Sequence, residues 1–159
     1  MDTLHDDMLA LAESLLSGES LGSAALRRAV SSAYYSLFRR LSSLCASRLS
    51  GQNPESEEYH RLYRILEHKQ VRDRLNKSAM FKADLGLSFQ QLLEAREWAD
   101  YSVAPHPDSI KSSRGENFSA SEAHRYVTLA REALRFIESL DSAAQLKLAV
   151  LLIMQRDHR

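Results

Sequence analysis

The stretch Ala29-Val-Ser-Ser-Ala-Tyr-Tyr-Ser-Leu-Phe38 lies in the segment that decides the fold, which runs from about Gly22 to Ser50 and is closed by Gly51. Apolar residues in this segment alternate spacings of four and three, which is the seam of a helix in a bundle. They are Val30, Tyr34, Leu37, Leu41 and Leu44. Ala29, Ala33 and Phe38 widen the same face. The segment therefore predicts one long helix with a buried apolar side.

The rest of the chain carries the same kind of pattern, and no window alternates apolar and polar residues strictly enough to predict a strand. Further helices are predicted over about 3–17, 53–75, 88–104, 119–140 and 142–155. The sequence thus predicts the all-α class, as an up-and-down bundle of four to five helices plus a short C-terminal helix. We expect a single domain over 1–159 with its core at about 4–140.

Capping residues support these helix starts. Three pairs have capping-box spacing, namely Thr3 with Asp6, Ser88 with Gln91 and Ser119 with Glu122. Asn53-Pro54 offers an N-cap and a first-turn proline for the third helix. Pro105 and Pro107 end the fourth helix, so the polar segment 105–118 is predicted to be a loop.

Composition excludes several classes of function. The 159 residues carry 21 basic and 21 acidic side chains, so no overall field attracts nucleic acid or a membrane. The single cysteine, Cys45, excludes an intrachain disulfide and suits a reducing cytoplasm. Beside Leu44 on the apolar side, it is predicted to be a small buried hydrophobe rather than a nucleophile. The acidic N-terminus lacks signal-peptide features. We expect a cytoplasmic protein with no membrane partner.

The longest apolar run, Leu148–Met154, lies in the C-terminal helix and is too short to cross a bilayer. Because it is apolar nearly all round, the helix needs partners on every side. Those partners are either the core of the same chain or a second subunit.

Arg96 is the residue that the apolar pattern makes most unusual. On the fourth predicted helix the inward spacing runs through Phe89, Leu92, Arg96, Ala99 and Val103. A guanidinium in that position is costly unless it is paired. One interpretation is an internal ion pair with Asp100, one turn later, with Tyr101 beside it. The other is that Arg96 lines a cleft and meets a phosphate or a partner's acid.

Two histidines are candidate companions for an arginine. His106, in the loop after the fourth helix, is either solvated or folds back toward Arg96. Arg61 and His68 lie seven positions apart, two turns along nearly one face of the third predicted helix, and form either a chance pair or a second Arg/His site. No cluster has zinc-site spacing and no phosphate loop or dinucleotide fingerprint occurs, so no metal or cofactor is predicted.

The second helix is rich in arginine and contains no acid from Leu21 to Leu49. Its basic residues are Arg27, Arg28, Arg39, Arg40 and Arg48. This imbalance indicates either an anionic partner or a solvated face paired with neighbouring helices.

Two of these stretches resemble a known family. The Ala-Tyr-Tyr-x-x-Phe pattern at 33–38 is similar to the signature of prokaryotic HEPN domains. Arg96-Glu-Trp-Ala-Asp-Tyr101 resembles the Arg-x-x-Ala-Asp-Tyr pattern of a small, stand-alone branch of that family. The resemblance covers about residues 4–140. It implies a helical bundle, often a homodimer, in which Tyr34, Tyr35, Asp100 and Tyr101 are binding or structural residues.

The resemblance also implies function. Many HEPN proteins are metal-independent ribonucleases, found in defence systems and in toxin–antitoxin pairs with nucleotidyltransferases, and four to six residues separate their Arg from their His. Here Tyr101, Ser102 and Val103 occupy the histidine positions. The leading hypothesis is a HEPN-like domain with a degenerate catalytic motif that binds RNA, a nucleotide or a partner protein. The alternatives are an active ribonuclease, with Arg96 and His106 or Arg61 and His68 shared across a dimer, and a structural adaptor.

Overall fold

A computed structural model describes residues 3–18, 22–51, 53–101 and 119–154. Seven α-helices and one π-helix occur in these residues, and no strand does. The α-helices are α1 (Leu4–Leu16), α2 (Ser23–Leu49), α3 (Glu57–Tyr63), α4 (His68–Lys77), α5 (Leu87–Tyr101), α6 (Ala120–Ser139) and α7 (Ser142–Ile153). The predicted all-α class is confirmed.

Helix α2 is the centre of the bundle and packs against α1, α3, α5, α6 and α7. The predicted seam, from Val30 to Leu44, is buried. Small polar residues share the buried surface because their hydroxyls bond within the helix: Ser36 Oγ donates to the Ala33 carbonyl at 2.6 Å and Ser42 Oγ to that of Phe38 at 3.0 Å. These bonds satisfy polar groups that would otherwise be costly to bury.

The third predicted helix is wrong as a single element, because the chain forms two helices with a break at 64–67. Its predicted start is also wrong. Helix α3 begins after Ser56, whose Oγ accepts a hydrogen bond from the Tyr59 amide at 3.1 Å, rather than at Asn53-Pro54. Between the helices Leu66 is buried in the core. The break gives α4 its own direction and makes His68 its first residue.

Helix α5 also starts differently from the prediction. A π-helix at Lys82–Gly86 leads directly into Leu87, so Ser88 lies inside the helix rather than capping it. Gly86 lies close to α4, since a Cβ on it would be 3.2 Å from the Leu75 carbonyl oxygen.

Among the other predicted caps, Ser119 is confirmed, because its Oγ accepts from the Glu122 amide at 3.1 Å. Thr3 is wrong as a capping residue, since its side chain makes no capping hydrogen bond. Its backbone has φ −108° and ψ 7°, outside the extended region in which an N-cap side chain reaches the next turn.

Helix α7 divides its apolar residues between two sides. Leu148, Ala149 and Leu152 are buried in the core, whereas Leu146 and Val150 are exposed. The buried side agrees with packing of this helix in the core of the same chain. Contact of the exposed side with a second subunit stays a prediction. Within the described residues, no helix is both long and apolar enough to span a membrane.

Candidate functional site

Arg96 lies in the interior of the bundle with only 5% of its surface exposed. The apolar spacing of α5 places it there, between the buried residues Leu92 and Ala99. Its Cζ lies 5.2 Å from the ring centre of Tyr34 and 5.6 Å from that of Tyr35. The guanidinium is therefore held in a pocket of aromatic rings from α2, where cation–π attraction replaces part of its lost hydration.

The charge of Arg96 is only partly compensated. Asp100 is the acid beside it, but the closest approach, from Nη1 to Oδ2, is 3.9 Å, at the limit of an ion pair. Within the described residues, Arg96 Nε is buried without a hydrogen-bond partner. A buried donor without a partner costs free energy. The described residues therefore leave the charge and one donor of Arg96 incompletely satisfied.

Tyr34 connects this pocket to a histidine on another helix. Tyr34 Oη and His68 Nδ1 are 2.5 Å apart. The imidazole also stacks on Phe38, with ring centres 4.3 Å apart and 28° between the planes. Two side chains on successive turns of α2 thus fix the His68 ring at the start of α4, and Tyr34 lies between it and Arg96.

Burial sets the protonation of this pair. Burial raises the pKa of Tyr34 far above its ordinary value, against the positive charge of Arg96 and a hydrogen bond from it. Burial also lowers the pKa of His68, and the charges of Arg96 and Arg39 lower it further. The charge of Glu97 raises this pKa and is the smallest of these effects. At neutral pH the phenol keeps its proton and the imidazole is uncharged.

Arg39 is a second cation at this site. It lies on α2, four residues after Tyr35, and its Cζ is 5.7 Å from the ring centre of Tyr63 on α3. Its Nε is buried without a hydrogen-bond partner, and within the described parts of the chain no acid pairs with it. The charges of two guanidinium groups therefore lower the pKa of His68.

Two further aromatic residues lie on α5 near Arg96, and one of them adjoins the pocket. Tyr101, 75% exposed, lies beside Arg96, whose Cζ is 5.8 Å from its ring centre. Trp98 is half-buried, and the guanidinium of Arg27 covers its ring at 4.5 Å while Nη1 donates to the Ala99 carbonyl at 3.1 Å. Such rings offer flat surfaces for stacking.

The predicted site residues are thus divided. The structure brings together six of them: Arg96, Asp100, Tyr101, Tyr34, Tyr35 and His68. Pairing of Arg61 with His68 on one helix face is wrong, because the break at 64–67 puts them on separate helices. Arg61 instead forms an exposed salt bridge of 2.9 Å with Glu57. His106 lies outside the described residues.

Arg39 is a site residue that the sequence does not distinguish from the other arginines of α2. Its spacing of four from Tyr35, on an acid-free helix, was the available signal. Spacing alone could not show which helix packs against the side of α2 that carries Tyr35 and Arg39.

Two other features lie apart from Arg96. Cys45 is buried, and burial raises the pKa of its thiol to about 12, so it is not a thiolate at neutral pH. A cavity of about 450 Å³ lies between the N-terminus of α1 and the second half of α2, and none of the six residues above lines it. In the described ranges no group of three or more His, Cys, Asp and Glu residues could hold a metal ion.

Comparison with family models, with curated proteins and with solved structures finds no match to this chain. A function for it therefore has to be derived from the geometry of the site.

Proposed function

We propose that this chain is a HEPN-like domain of a toxin–antitoxin or antiviral defence system that binds RNA through its phosphates at the Arg96 pocket. The observation that carries the proposal is Arg96 itself, buried with an unpartnered donor and connected through Tyr34 to His68. A planar guanidinium suits a phosphate, which accepts two of its N–H bonds at once.

The proton arrangement at His68 supports phosphate binding. Burial keeps the Tyr34 phenol protonated, and its proton can be donated to His68 Nδ1. The proton of the neutral imidazole then lies on Nε2. In that tautomer His68 is a hydrogen-bond donor, and Arg39 adds a second positive charge beside it.

The exposed ring of Tyr101 beside Arg96 supports RNA over a small inorganic anion. Single-stranded RNA presents unstacked bases, which bind to aromatic side chains in many RNA-binding domains. Tyr101 is exposed and adjacent to Arg96, so a base stacked on it would place the neighbouring phosphate near the guanidinium.

A second candidate is a metal-independent ribonuclease, favoured by the neutral His68 close to two arginines. In such cleavage the RNA 2′-oxygen attacks the adjacent phosphorus, the P–O5′ bond breaks, and a 2′,3′-cyclic phosphate and a 5′-hydroxyl result. A general base at Nε2 requires the other tautomer, with Nδ1–H donating to Tyr34. Because Tyr34 has its own proton to donate, we place binding ahead of cleavage. If the chain is such a ribonuclease, we expect a homodimer in which the two subunits share the Arg/His site.

A third candidate is an adaptor that docks through α7. It is favoured by Leu146, Val150 and Met154, which are exposed and spaced by four, so that they lie along one side of that helix.

The test is RNA binding measured by fluorescence anisotropy with a labelled single-stranded oligonucleotide, with and without EDTA. Arg96→Lys keeps the charge but not the planar fork, so we expect a loss of affinity of roughly tenfold or more. Arg39→Gln removes one phosphate contact and should reduce the slope of log Kd against log salt by about 0.7. Arg135→Gln, an exposed arginine on α6, is the matched control.

The outcomes separate the candidates. Equal affinities for the parent, Arg96→Lys and Arg135→Gln would reject RNA binding at this pocket. Cleavage products ending in a cyclic phosphate, formed in EDTA and absent for His68→Ala, would establish the ribonuclease. Light scattering on the same samples measures whether the protein is a dimer.

A further inference from the structure

The first turn of α4 is held on α2 through the ring of His68. Its Nδ1 is 2.5 Å from Tyr34 Oη, and its imidazole stacks on Phe38 with ring centres 4.3 Å apart. The ring of Tyr35 meets it edge to face, with ring centres 6.2 Å apart. Helix α4 also packs against α5, α7 and the π-helix. The contact between its first turn and α2 therefore depends on the state of one imidazole.

Neighbouring helices oppose a positive charge on that imidazole. Arg96 on α5 and Arg39 on α2 both act on His68, and Glu97 on α5 is the acid that acts against them. Glu97 is exposed, so water screens its charge, whereas Arg96 is buried. The sum of these charges disfavours a protonated ring in the docked position.

The position of His68 on its own helix has the same effect. It is the first residue of α4, at the end where the helix dipole is positive and a cation is unfavourable. The preceding acid, Glu67, makes no capping hydrogen bond and accepts instead from Gln70 Nε2 at 2.8 Å. Lys69 adds another positive charge to this turn.

Protonation also changes the hydrogen bond to Tyr34. A neutral imidazole accepts the phenol proton at Nδ1, whereas an imidazolium has a donor on both nitrogens. Because burial raises the pKa of Tyr34, the phenol keeps its proton, and two donors then face each other across 2.5 Å. Tyr34 is fully buried and His68 is half-buried at the start of a helix, so His68 is the group that can turn away.

We infer that His68 is a pH-sensitive latch, which holds the first turn of α4 on α2 when its ring is neutral and releases that turn when the ring is protonated. Release removes the hydrogen bond of Tyr34, whose ring is one wall of the Arg96 pocket, so the pocket changes with pH. The latch is a property of the free protein and does not rest on RNA binding.

Amide hydrogen exchange of the full chain, followed by NMR at pH 7.5 and pH 5 and corrected for the intrinsic effect of pH, tests the release. The Val71 amide donates to the Glu67 carbonyl at 2.9 Å and therefore reports on the first turn of α4. An open turn binds the His68 proton with an ordinary pKa near 6.5, so the opening constant at Val71 should rise roughly tenfold at pH 5.

The amide of Leu41, buried in the middle of α2, distinguishes local release from global unfolding. At pH 5 the opening constant of Val71 should be at least tenfold that of Leu41. A low concentration of urea should hardly change it, because a local opening exposes little surface. Equal opening constants for the two amides, or no rise at Val71 in the parent, would overturn the inference.

Variants assign the effect to the imidazole. His68→Gln cannot be protonated, so Val71 exchange should lose its response to pH, whereas His124→Gln, an exposed histidine on α6, should behave like the parent. Arg39→Gln keeps the latch and removes one opposing charge, so the rise at Val71 should be at most half that of the parent. A parental response to pH in both His68→Gln and Arg39→Gln would also reject the latch.

Discussion

The Tyr34 hydroxyl and His68 Nδ1 are 2.5 Å apart, although the two residues are 34 positions apart in the chain. This hydrogen bond connects α2 to α4 and places an imidazole beside the buried Arg96 pocket. It supplies from another helix the histidine that α5 lacks at the positions following Arg96.

Tyr34→Phe removes only the hydroxyl and tests this connection. We expect a loss of about 1 to 2 kcal/mol in the free energy of unfolding, because His68 Nδ1 loses its partner at a half-buried position. Urea unfolding followed by circular dichroism measures it. Tyr101→Phe removes an exposed hydroxyl and should leave stability unchanged; equal losses in the two variants would show that the bond contributes nothing specific.

The lowered pKa of His68 makes stability depend on pH. The unfolded chain binds this proton near the ordinary pKa of 6.5, and the folded chain binds it less tightly. The contribution of neutral His68 to the free energy of unfolding is therefore fully present above about pH 6.5. It decreases as the pH falls from there toward the lower pKa of the folded state. Urea unfolding between pH 7.5 and 5 should show a smaller loss for His68→Gln than for the parent.

His124→Gln, an exposed histidine on α6, is the control for that experiment and should follow the parent. Titration of the His68 ring by NMR gives a direct check. A midpoint at or above the ordinary value would contradict the effect of burial.

Arg96→Met separates the structural role of Arg96 from its role in binding. Methionine replaces the stem without the buried charge, and such replacements leave stability within about 1.5 kcal/mol. Asp100 is partly exposed, so its carboxylate can be hydrated when its partner is lost. RNA affinity should nevertheless fall to the level of non-specific binding.

Arg96→Ala removes the stem as well and should cost roughly 2 to 4 kcal/mol by leaving a cavity. If Arg96→Met unfolds as easily as Arg96→Ala while both retain RNA affinity, Arg96 is a structural residue alone. The two unfolding curves and the anisotropy titrations decide this.

Gly86→Ala tests the close approach of the π-helix to α4. The new Cβ would lie 2.9 Å from Asn76 Oδ1 and 3.2 Å from the Leu75 carbonyl, and the backbone contact cannot be relieved by a side-chain rotation. We expect a loss of roughly 1 to 3 kcal/mol in urea unfolding. Gly22→Ala meets no atom within 4 Å and should change stability by less than about 1 kcal/mol.

Cys45 provides a test of the core. Its thiol is buried and its pKa is raised to about 12, so the thiolate that reacts with Ellman's reagent is scarce and inaccessible. The folded protein should react only at the rate at which it opens, and urea should make the reaction rapid. Fast, complete labelling of the folded protein would contradict this packing.

The sequence by itself determined the all-α class, the long helix α2 and the burial of Arg96. These follow from apolar spacing, which is a local property, since residues three and four apart lie on one side of any helix. The same reasoning marked Asp100, one turn from Arg96, and the apolar environment of Cys45. The spacing from Tyr35 to Arg39 was visible too, but no local rule tells which helix that face meets.

Only the tertiary structure decided which histidine meets Arg96. Ile65, Leu66 and Glu67 are compatible with a continuous helix, yet the helix is interrupted there and Leu66 is buried in the core. Beyond this interruption His68, the first residue of α4, contacts Tyr34 and Phe38 on α2, while Arg61 lies on α3 in an exposed ion pair. Spacing along one helix cannot reveal such a site, because its geometry depends on how separate helices pack.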